Sequence, residues 1–131
     1  MNRDLLENNY IIINNFVSKE NALHWGLDFI EYSKTVDEKD KGDKQVNNCT
    51  CLHSPKKGND LLYGKCDEVA NIVGCKLLPT YSYGRVYEKG NFLPIHKDRP
   101  ACEVSITVHL HGDTLWPFYI INPQGLPIEL D

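Results

Sequence analysis

The sequence lacks a long apolar run, a signal peptide and a cluster of basic residues. No stretch approaches the roughly 20 apolar residues that a membrane-spanning helix needs, and the N-terminal segment MNRDLLENNY has no apolar core of the kind found in signal peptides. The formal net charge is −4, which argues against a nucleic-acid backbone as the main partner. These absences favour a cytoplasmic protein that binds neither membranes nor nucleic acids.

The cysteines are odd in number, and the sequence contains no internal repeat or low-complexity segment. The five cysteines are Cys49, Cys51, Cys66, Cys75 and Cys102. Without a secretory signal, an odd number favours free thiols over a framework of disulfides. Cys49 and Cys51 could join Cys66 in a zinc site, but structural zinc sites usually contain two separate pairs of ligands. Free thiols are therefore expected, with zinc as the alternative.

Length and composition indicate a single globular domain, assigned to residues 1–131. Hydrophobic residues make up 41% of the chain and charged residues 24%, which is ordinary for a globular protein. We expect residues 1–75 to form a helical support region and residues 76–131 to form a β-rich core. The chain is large enough for one core but small for a complete enzyme.

Two amphipathic helices are predicted in the N-terminal region. Ser18 can cap a helix over residues 19–32, in which apolar residues recur at three- and four-residue steps. A second helix, capped by Asn59 or Asp60, is predicted to end near Val73, before a glycine that favours helix termination. Two helices followed by strands suit an α+β fold, with the helices packed on one face of a sheet.

Strand patterns dominate the C-terminal region, after a charged and largely irregular segment over residues 33–60. Strands are predicted over residues 10–13, 77–88, 92–97, 103–111, 116–121 and 126–130. The run over residues 103–111 is the clearest, because its apolar and polar residues alternate strictly. A turn is predicted at Gly90-Asn91, and another over residues 122–125.

His96 and Asp98 lie one residue apart at the end of a predicted strand. On an extended backbone their side chains would project to the same face. One imidazole and one carboxylate are two of the three ligands in the 2-His-1-carboxylate triad that holds non-haem Fe(II). Taken alone, such a pair is more often a surface histidine and a turn-capping aspartate. The flanking strand patterns make both residues candidate metal ligands.

The segment YGRVYEKGNFLPIHKDRPACEVSIT, within a run from Leu78 to about Tyr119, resembles a known family of enzymes. It is similar to the front half of the catalytic core of a 2-oxoglutarate- and Fe(II)-dependent dioxygenase of the prolyl-4-hydroxylase-like kind. The resemblance implies a double-stranded β-helix, a cupin-like jelly roll buttressed by helices. It implies Fe(II) on His96 and Asp98, 2-oxoglutarate as cosubstrate, O₂, and a small-molecule or peptide substrate that is hydroxylated.

Three more residues become candidates through this resemblance. Tyr87 has the spacing of a tyrosine that contacts 2-oxoglutarate, and the alternative is a tyrosine that packs across strands. Arg85 lies two residues earlier and is a second candidate contact for 2-oxoglutarate, with a surface ion pair as the alternative. Arg99 directly follows the metal-binding aspartate and is a candidate substrate contact.

Two elements of the family pattern have no counterpart in the sequence. The family places a second metal histidine, and a basic residue that pairs with the distal carboxylate of 2-oxoglutarate, many tens of residues beyond the His-x-Asp motif. The sequence ends 33 residues after Asp98. It therefore predicts the N-terminal portion of an enzyme, an incomplete β-helix, weak metal affinity and little or no turnover by itself. Exposed sheet edges would favour self-association.

His109 and His111 leave an alternative open. They share one face of the predicted strand over residues 103–111, and each could supply a third metal ligand, although neither matches the family position. The alternative function is a small metal-binding or interaction module without oxygenase chemistry, on a cupin-like β-scaffold. In that case one of these histidines would be required for metal binding.

Overall fold

The computed structural model describes residues 1–130 and contains three α-helices and four short strands. Asp131, the last residue of the predicted domain, lies outside the described residues. The helices are α1 (Arg3–Asn8), α2 (Lys19–Ser33) and α3 (Lys56–Val73). The strands are β1 (Thr50–His53), β2 (Tyr83–Val86), β3 (Phe118–Ile121) and β4 (Pro127–Leu130). None of the helices in the described residues has the length and apolar character needed to cross a membrane.

The predicted double-stranded β-helix is wrong. The strands form two separate antiparallel pairs, β1 with β2 and β3 with β4, so the protein is a small α+β structure with two two-stranded sheets. The described backbone forms no strand over residues 10–13, 92–97 or 103–111, where the sequence predicts strands. Alternation of apolar and polar residues predicts an amphipathic extended segment, but a strand also needs a neighbour that accepts and donates its backbone hydrogen bonds. These three segments lack such a neighbour.

Helix α2 confirms its prediction from local chemistry. The Ser18 hydroxyl accepts a hydrogen bond of 3.1 Å from the backbone N–H of Asn21, as an N-cap does. The C-terminal end of α3 is also confirmed, because Gly74 follows it at a φ of 79° and donates its N–H to Ala70. The start of α3 differs, since the helix begins at Lys56, before the predicted cap. Pro55 is the N-cap residue of the observed helix, and its ring fixes its φ at −62°.

The strands and the turn predicted over residues 116–130 are also confirmed, and in the structure the two strands, β3 and β4, pair as a hairpin. Its strands pair from Phe118 with Leu130 to Ile121 with Pro127. The side-chain oxygen of Asn122 accepts hydrogen bonds from two backbone N–H groups of the turn, and Gly125 takes a φ of 80°. A polar side chain that bonds its own turn closes the hairpin without help from the rest of the chain.

Burial is concentrated in two places. Val46, Cys49 and Thr50 are fully buried where the loop over residues 42–49 enters β1, and Val69 and Val73 are buried on one face of α3. Helix α2 packs against the first of these two places, because side chains of α2 and β1 surround Gly84 in β2. The β1–β2 ladder and its loop therefore form the best-packed part of the described residues.

Candidate functional site

His96 and Asp98 face each other in the structure. The His96 Nε2 atom lies 3.2 Å from the Asp98 Oδ1 atom, and the two side chains remain 30% and 45% exposed. The backbone between them is not a strand, so their proximity does not come from the period of two on which the prediction relied. Both side chains are accessible from solvent, which a site that takes up an ion requires.

The outer atoms of the pair are each held by a further hydrogen bond. The His96 Nδ1 atom lies 2.8 Å from the backbone carbonyl oxygen of Pro94, and the Ser105 hydroxyl donates to Asp98 Oδ2 at 2.5 Å. When Nδ1 carries the proton and donates it to that carbonyl, the lone pair of a neutral imidazole is on Nε2. Nε2 and Oδ1 then both carry free lone pairs, 3.2 Å apart.

A turn brings Ser105 back to Asp98. The backbone N–H of Cys102 donates to the carbonyl oxygen of Arg99 at 2.8 Å, so the chain reverses just after the aspartate. Pro100 lies inside this turn, where its fixed φ is suited to the second position. The hydroxyl that orients the carboxylate is thus supplied by local chain reversal.

The imidazole of His96 and the carboxylate of Asp98 are suited to be two of the ligands of a divalent ion. Metal-bound histidines usually donate their other ring N–H to a carbonyl or carboxylate, and metal-bound carboxylates are themselves hydrogen-bonded, as both are here. Two ligand atoms at adjacent octahedral positions, each about 2.1 Å from one ion, would lie about 3.0 Å apart. The described residues contain no group of three or more side chains that could hold a metal ion. Among the described residues, a metal ion at this pair would therefore have two protein ligands at most.

The two histidines considered as third ligands lie elsewhere. His111 packs on α2, where its Cβ would be 2.5 Å from a Cβ added to Gly26. His109 borders a cavity of about 270 Å³ between residues 11–17 and residues 105–109. Ser105, whose hydroxyl donates to Asp98, borders the same cavity. The cavity is slightly smaller than typical ligand pockets, which begin at about 300 Å³.

Arg85 is committed to an internal ion pair. Its guanidinium donates to the Asp43 carboxylate and, at 2.8 Å, to the side-chain oxygen of Gln45, and its side chain is only 12% exposed. Burial by itself would lower the pKa of Arg85, but the hydrogen bond to Asp43 and the neighbouring Tyr87 phenol raise it above its usual value. Its Nε is buried and has no partner among the described residues. A bound anion would have to compete with Asp43 for this cation.

Tyr87 and Arg99 lie in aromatic contacts. The ring of Tyr87 stacks on Trp116, with centroids 5.0 Å apart and planes at 28°. The Arg99 guanidinium lies over the ring of Tyr81, 5.2 Å from its centroid. Within residues 1–130 no hydrogen bond, ion pair or ring contact joins Arg85 or Tyr87 to the metal-ligand pair. The roles predicted for Arg85 and Tyr87 toward 2-oxoglutarate, and for Arg99 toward substrate, stay predictions.

The zinc set considered from the sequence is not assembled. The sulfurs of Cys49 and Cys51 lie 3.2 Å apart, whereas the Cys66 thiol donates to the backbone carbonyl of Leu77 at 3.7 Å. All five cysteines are free. The close pair formed by Cys49 and Cys51 is a feature that the sequence did not indicate.

Comparison with family models, curated proteins and solved structures finds no match to this chain. The assignment of a function consequently rests on the residues themselves.

Two partners of the candidate residues, Ser105 and Asp43, were not predicted from the sequence. Ser105 stands on the polar face of the run over residues 103–111, and its position seven residues after Asp98 carries no recognisable motif. Asp43 lies in the charged, irregular segment over residues 33–60, where nothing in the sequence indicates that it pairs with Arg85. Only the alternation around Ser105 gave any signal, and it could not indicate which polar residue would turn toward the carboxylate.

Proposed function

We propose that the chain supplies His96 and Asp98 as two iron ligands of a 2-oxoglutarate- and Fe(II)-dependent dioxygenase, of which it forms the N-terminal portion. The substrate would be a peptide or a small molecule that is hydroxylated. The proposal rests on the side chains of the pair and their partners, and it does not require a double-stranded β-helix.

The observation that carries the proposal is the fixed orientation of both ligands. The Pro94 carbonyl oxygen and the Ser105 hydroxyl hold the outer atoms, His96 Nδ1 and Asp98 Oδ2. A surface ion pair alone needs no such supports, because exposed charges gain little from being held in one geometry. Support of the outer atoms is the usual arrangement around metal-binding side chains.

The roles of the protein groups follow from this arrangement. His96 binds through neutral Nε2 and Asp98 through Oδ1, while Ser105 keeps the carboxylate turned toward the imidazole. When bound, iron and 2-oxoglutarate supply the oxidation of a C–H bond by O₂. The cavity beside Ser105 has room for a small group, such as one side chain of a peptide.

Anaerobic calorimetric titration with Fe(II) tests the metal site. The expected result is weak binding by the unmodified chain and no detectable binding by His96→Ala or Asp98→Ala. A control exists on α2, where His24 Nε2 lies 3.6 Å from Asp28 Oδ2 in a pair that is more exposed than His96 and Asp98. His24→Ala should bind as the unmodified chain does. Equal binding by His96→Ala would overturn the proposed site.

Titration in the presence of 2-oxoglutarate distinguishes an oxygenase from a plain metal-binding module. A 2-oxo acid chelates iron through two oxygens, so it should tighten Fe(II) binding to a site with open positions, whereas succinate, which lacks the keto group, should not. Succinate formation by this chain alone should be slight, since the described residues offer two ligands. Metal binding that 2-oxoglutarate leaves unchanged would favour the alternative, a metal-binding module without oxygenase chemistry.

A further inference from the structure

Cys49 and Cys51 bring their sulfurs together at the entrance of β1. They flank Thr50, the first residue of the strand, and side chains two residues apart on an extended backbone point to the same face. Their Sγ atoms lie 3.2 Å apart. No other pair of cysteine sulfurs is in contact in the described part of the chain.

The separation is close to what a disulfide needs. A disulfide bond is about 2.05 Å long, so the two sulfurs would have to approach by about 1.2 Å. Two residues apart on a strand, the Cα atoms are about 6.6 Å from each other, which is within the range that disulfides span. A small contraction of the chain around Thr50 would complete the bond.

We propose that Cys49 and Cys51 form a thiol–disulfide site that a small disulfide such as oxidised glutathione converts to an intrachain disulfide. This inference is independent of the proposed metal site. A zinc or other metal site is the less favoured use of these thiols, because no third ligand accompanies them among residues 1–130.

The two cysteines differ in solvent exposure, and this difference assigns the order in which they react with the small disulfide. Cys49 is 0% exposed, and burial together with the neighbouring Cys51 thiol raises its pKa to about 12. Cys51 is partly exposed and stands opposite Arg85 in the β1–β2 ladder. A small disulfide from solvent therefore reacts with Cys51 first, and the buried Cys49 then reacts with Cys51.

The exchange then balances without a further reactant. The thiolate of Cys51 attacks one sulfur of oxidised glutathione, which forms a mixed disulfide and releases one glutathione thiolate. The thiol of Cys49 passes its proton to a departing thiolate and attacks Cys51 Sγ, which releases the second glutathione. The two protein thiols are oxidised to one disulfide, and the disulfide of glutathione is reduced to two thiols.

Mass spectrometry after exposure of the folded protein to glutathione buffers tests this proposal. Trypsin cleaves after Lys44 and Lys56, so one peptide, residues 45–56, carries both cysteines and no other. After alkylation of the remaining free thiols, this peptide should be unalkylated and lighter by two hydrogen atoms. Cys66, Cys75 and Cys102 should be alkylated.

A synthetic peptide of residues 45–56 is the control for the contribution of the fold. Because the fold holds the sulfurs together, the protein should form the disulfide in buffers about tenfold more reducing than the peptide requires. If the disulfide formed at the same glutathione redox midpoint in the protein and in the peptide, the inference would be overturned. Alkylation of Cys49 and Cys51 to the same extent as the other three cysteines would also overturn it.

Single variants test the order of attack. Cys49→Ser should accumulate glutathione on Cys51, because no second thiol resolves the mixed disulfide. Cys51→Ser should leave Cys49 unmodified as long as the protein is folded. Glutathione on Cys49 of folded Cys51→Ser would overturn the assigned order. The measurement on the unmodified protein decides the proposal even if either variant fails to fold.

Discussion

The carboxylate of Asp43 pairs with the guanidinium of Arg85 across 42 residues of sequence. The Tyr83 hydroxyl donates to the same carboxylate oxygen at 2.7 Å, and the backbone N–H groups of Gln45 and Val46 donate to the other. One side chain thus joins the loop before β1 to strand β2. The pairing holds together the best-packed part of the described residues.

Asp43→Asn should destabilise the protein by about 2–4 kcal/mol. The variant leaves the guanidinium of Arg85 mostly buried without a countercharge, and such a loss costs more than the pair contributes when intact. Urea unfolding followed by circular dichroism measures the change. Asp37→Asn is the control, because Asp37 is exposed and its side chain makes no capping hydrogen bond. A loss below about 1 kcal/mol in Asp43→Asn would contradict the role assigned to the pair.

The same carboxylate should make stability fall in acid. Burial alone would raise the pKa of Asp43, but the hydrogen bonds from Arg85, Tyr83 and the backbone outweigh it and hold the pKa well below its usual range. A carboxyl whose pKa is lower in the folded state stabilises the fold above its unfolded pKa, about 3.9. That stabilisation is lost as the pH falls from there toward the folded pKa.

Urea midpoints measured from pH 5 to pH 2 test this prediction (the range brackets the usual carboxyl pKa of about 4). The unmodified protein should lose more stability across that range than Asp43→Asn, whose side chain does not titrate. Parallel pH profiles for the two proteins would show that Asp43 makes no contribution of this kind.

Substitution by alanine at two glycines in helix interiors should change the stability of the protein in opposite directions. A Cβ on Gly26 would lie 2.5 Å from the Cβ of His111, whereas a Cβ on Gly64 would meet nothing within 4 Å. Gly26→Ala should therefore cost about 1–3 kcal/mol from overpacking. Gly64→Ala should stabilise by about 0.5–1 kcal/mol, because alanine has the higher helix propensity. Thermal unfolding of both variants measures the difference, and a neutral Gly26→Ala would contradict the packing of His111 on α2.

Ser105→Ala should weaken Fe(II) binding about tenfold if the proposed metal site is correct. The substitution removes the hydroxyl that holds Asp98 Oδ2 and leaves both ligands in place. Thr107→Ala is the control, since Thr107 borders the same cavity and makes no hydrogen bond to Asp98 in the described structure. Equal affinities for the two variants would remove Ser105 from the site.

Elements whose hydrogen bonds close within a few residues were predictable. Ser18 caps α2 through a group three residues away, and Asn122 closes the β3–β4 turn through groups two and four residues away. Strand β1 was missed, because its four residues lie in a segment rich in charge and turn residues. The run over residues 103–111 shows the opposite error. It has the alternation of a strand but no strand beside it, and alternation reports burial on one face only.

The candidate site divides in the same way. His96 and Asp98 were identified from their spacing, and the structure does bring them together. The spacing could not reveal that Ser105 supports the carboxylate. Nor could it show that Arg85, a candidate contact for 2-oxoglutarate, is engaged by Asp43. Both relationships depend on where the chain turns and which segments meet.

The sequence by itself determined the body of α2, the end of α3 and the β3–β4 hairpin, because caps, stops and turns are made by neighbouring groups. Only the tertiary structure decided that β1 pairs with β2 and that Asp43 neutralises Arg85. The physical reason is distance along the chain. Contacts between residues tens of positions apart are selected by the packing and hydrogen bonding of the whole chain, and no local pattern of residues encodes that choice.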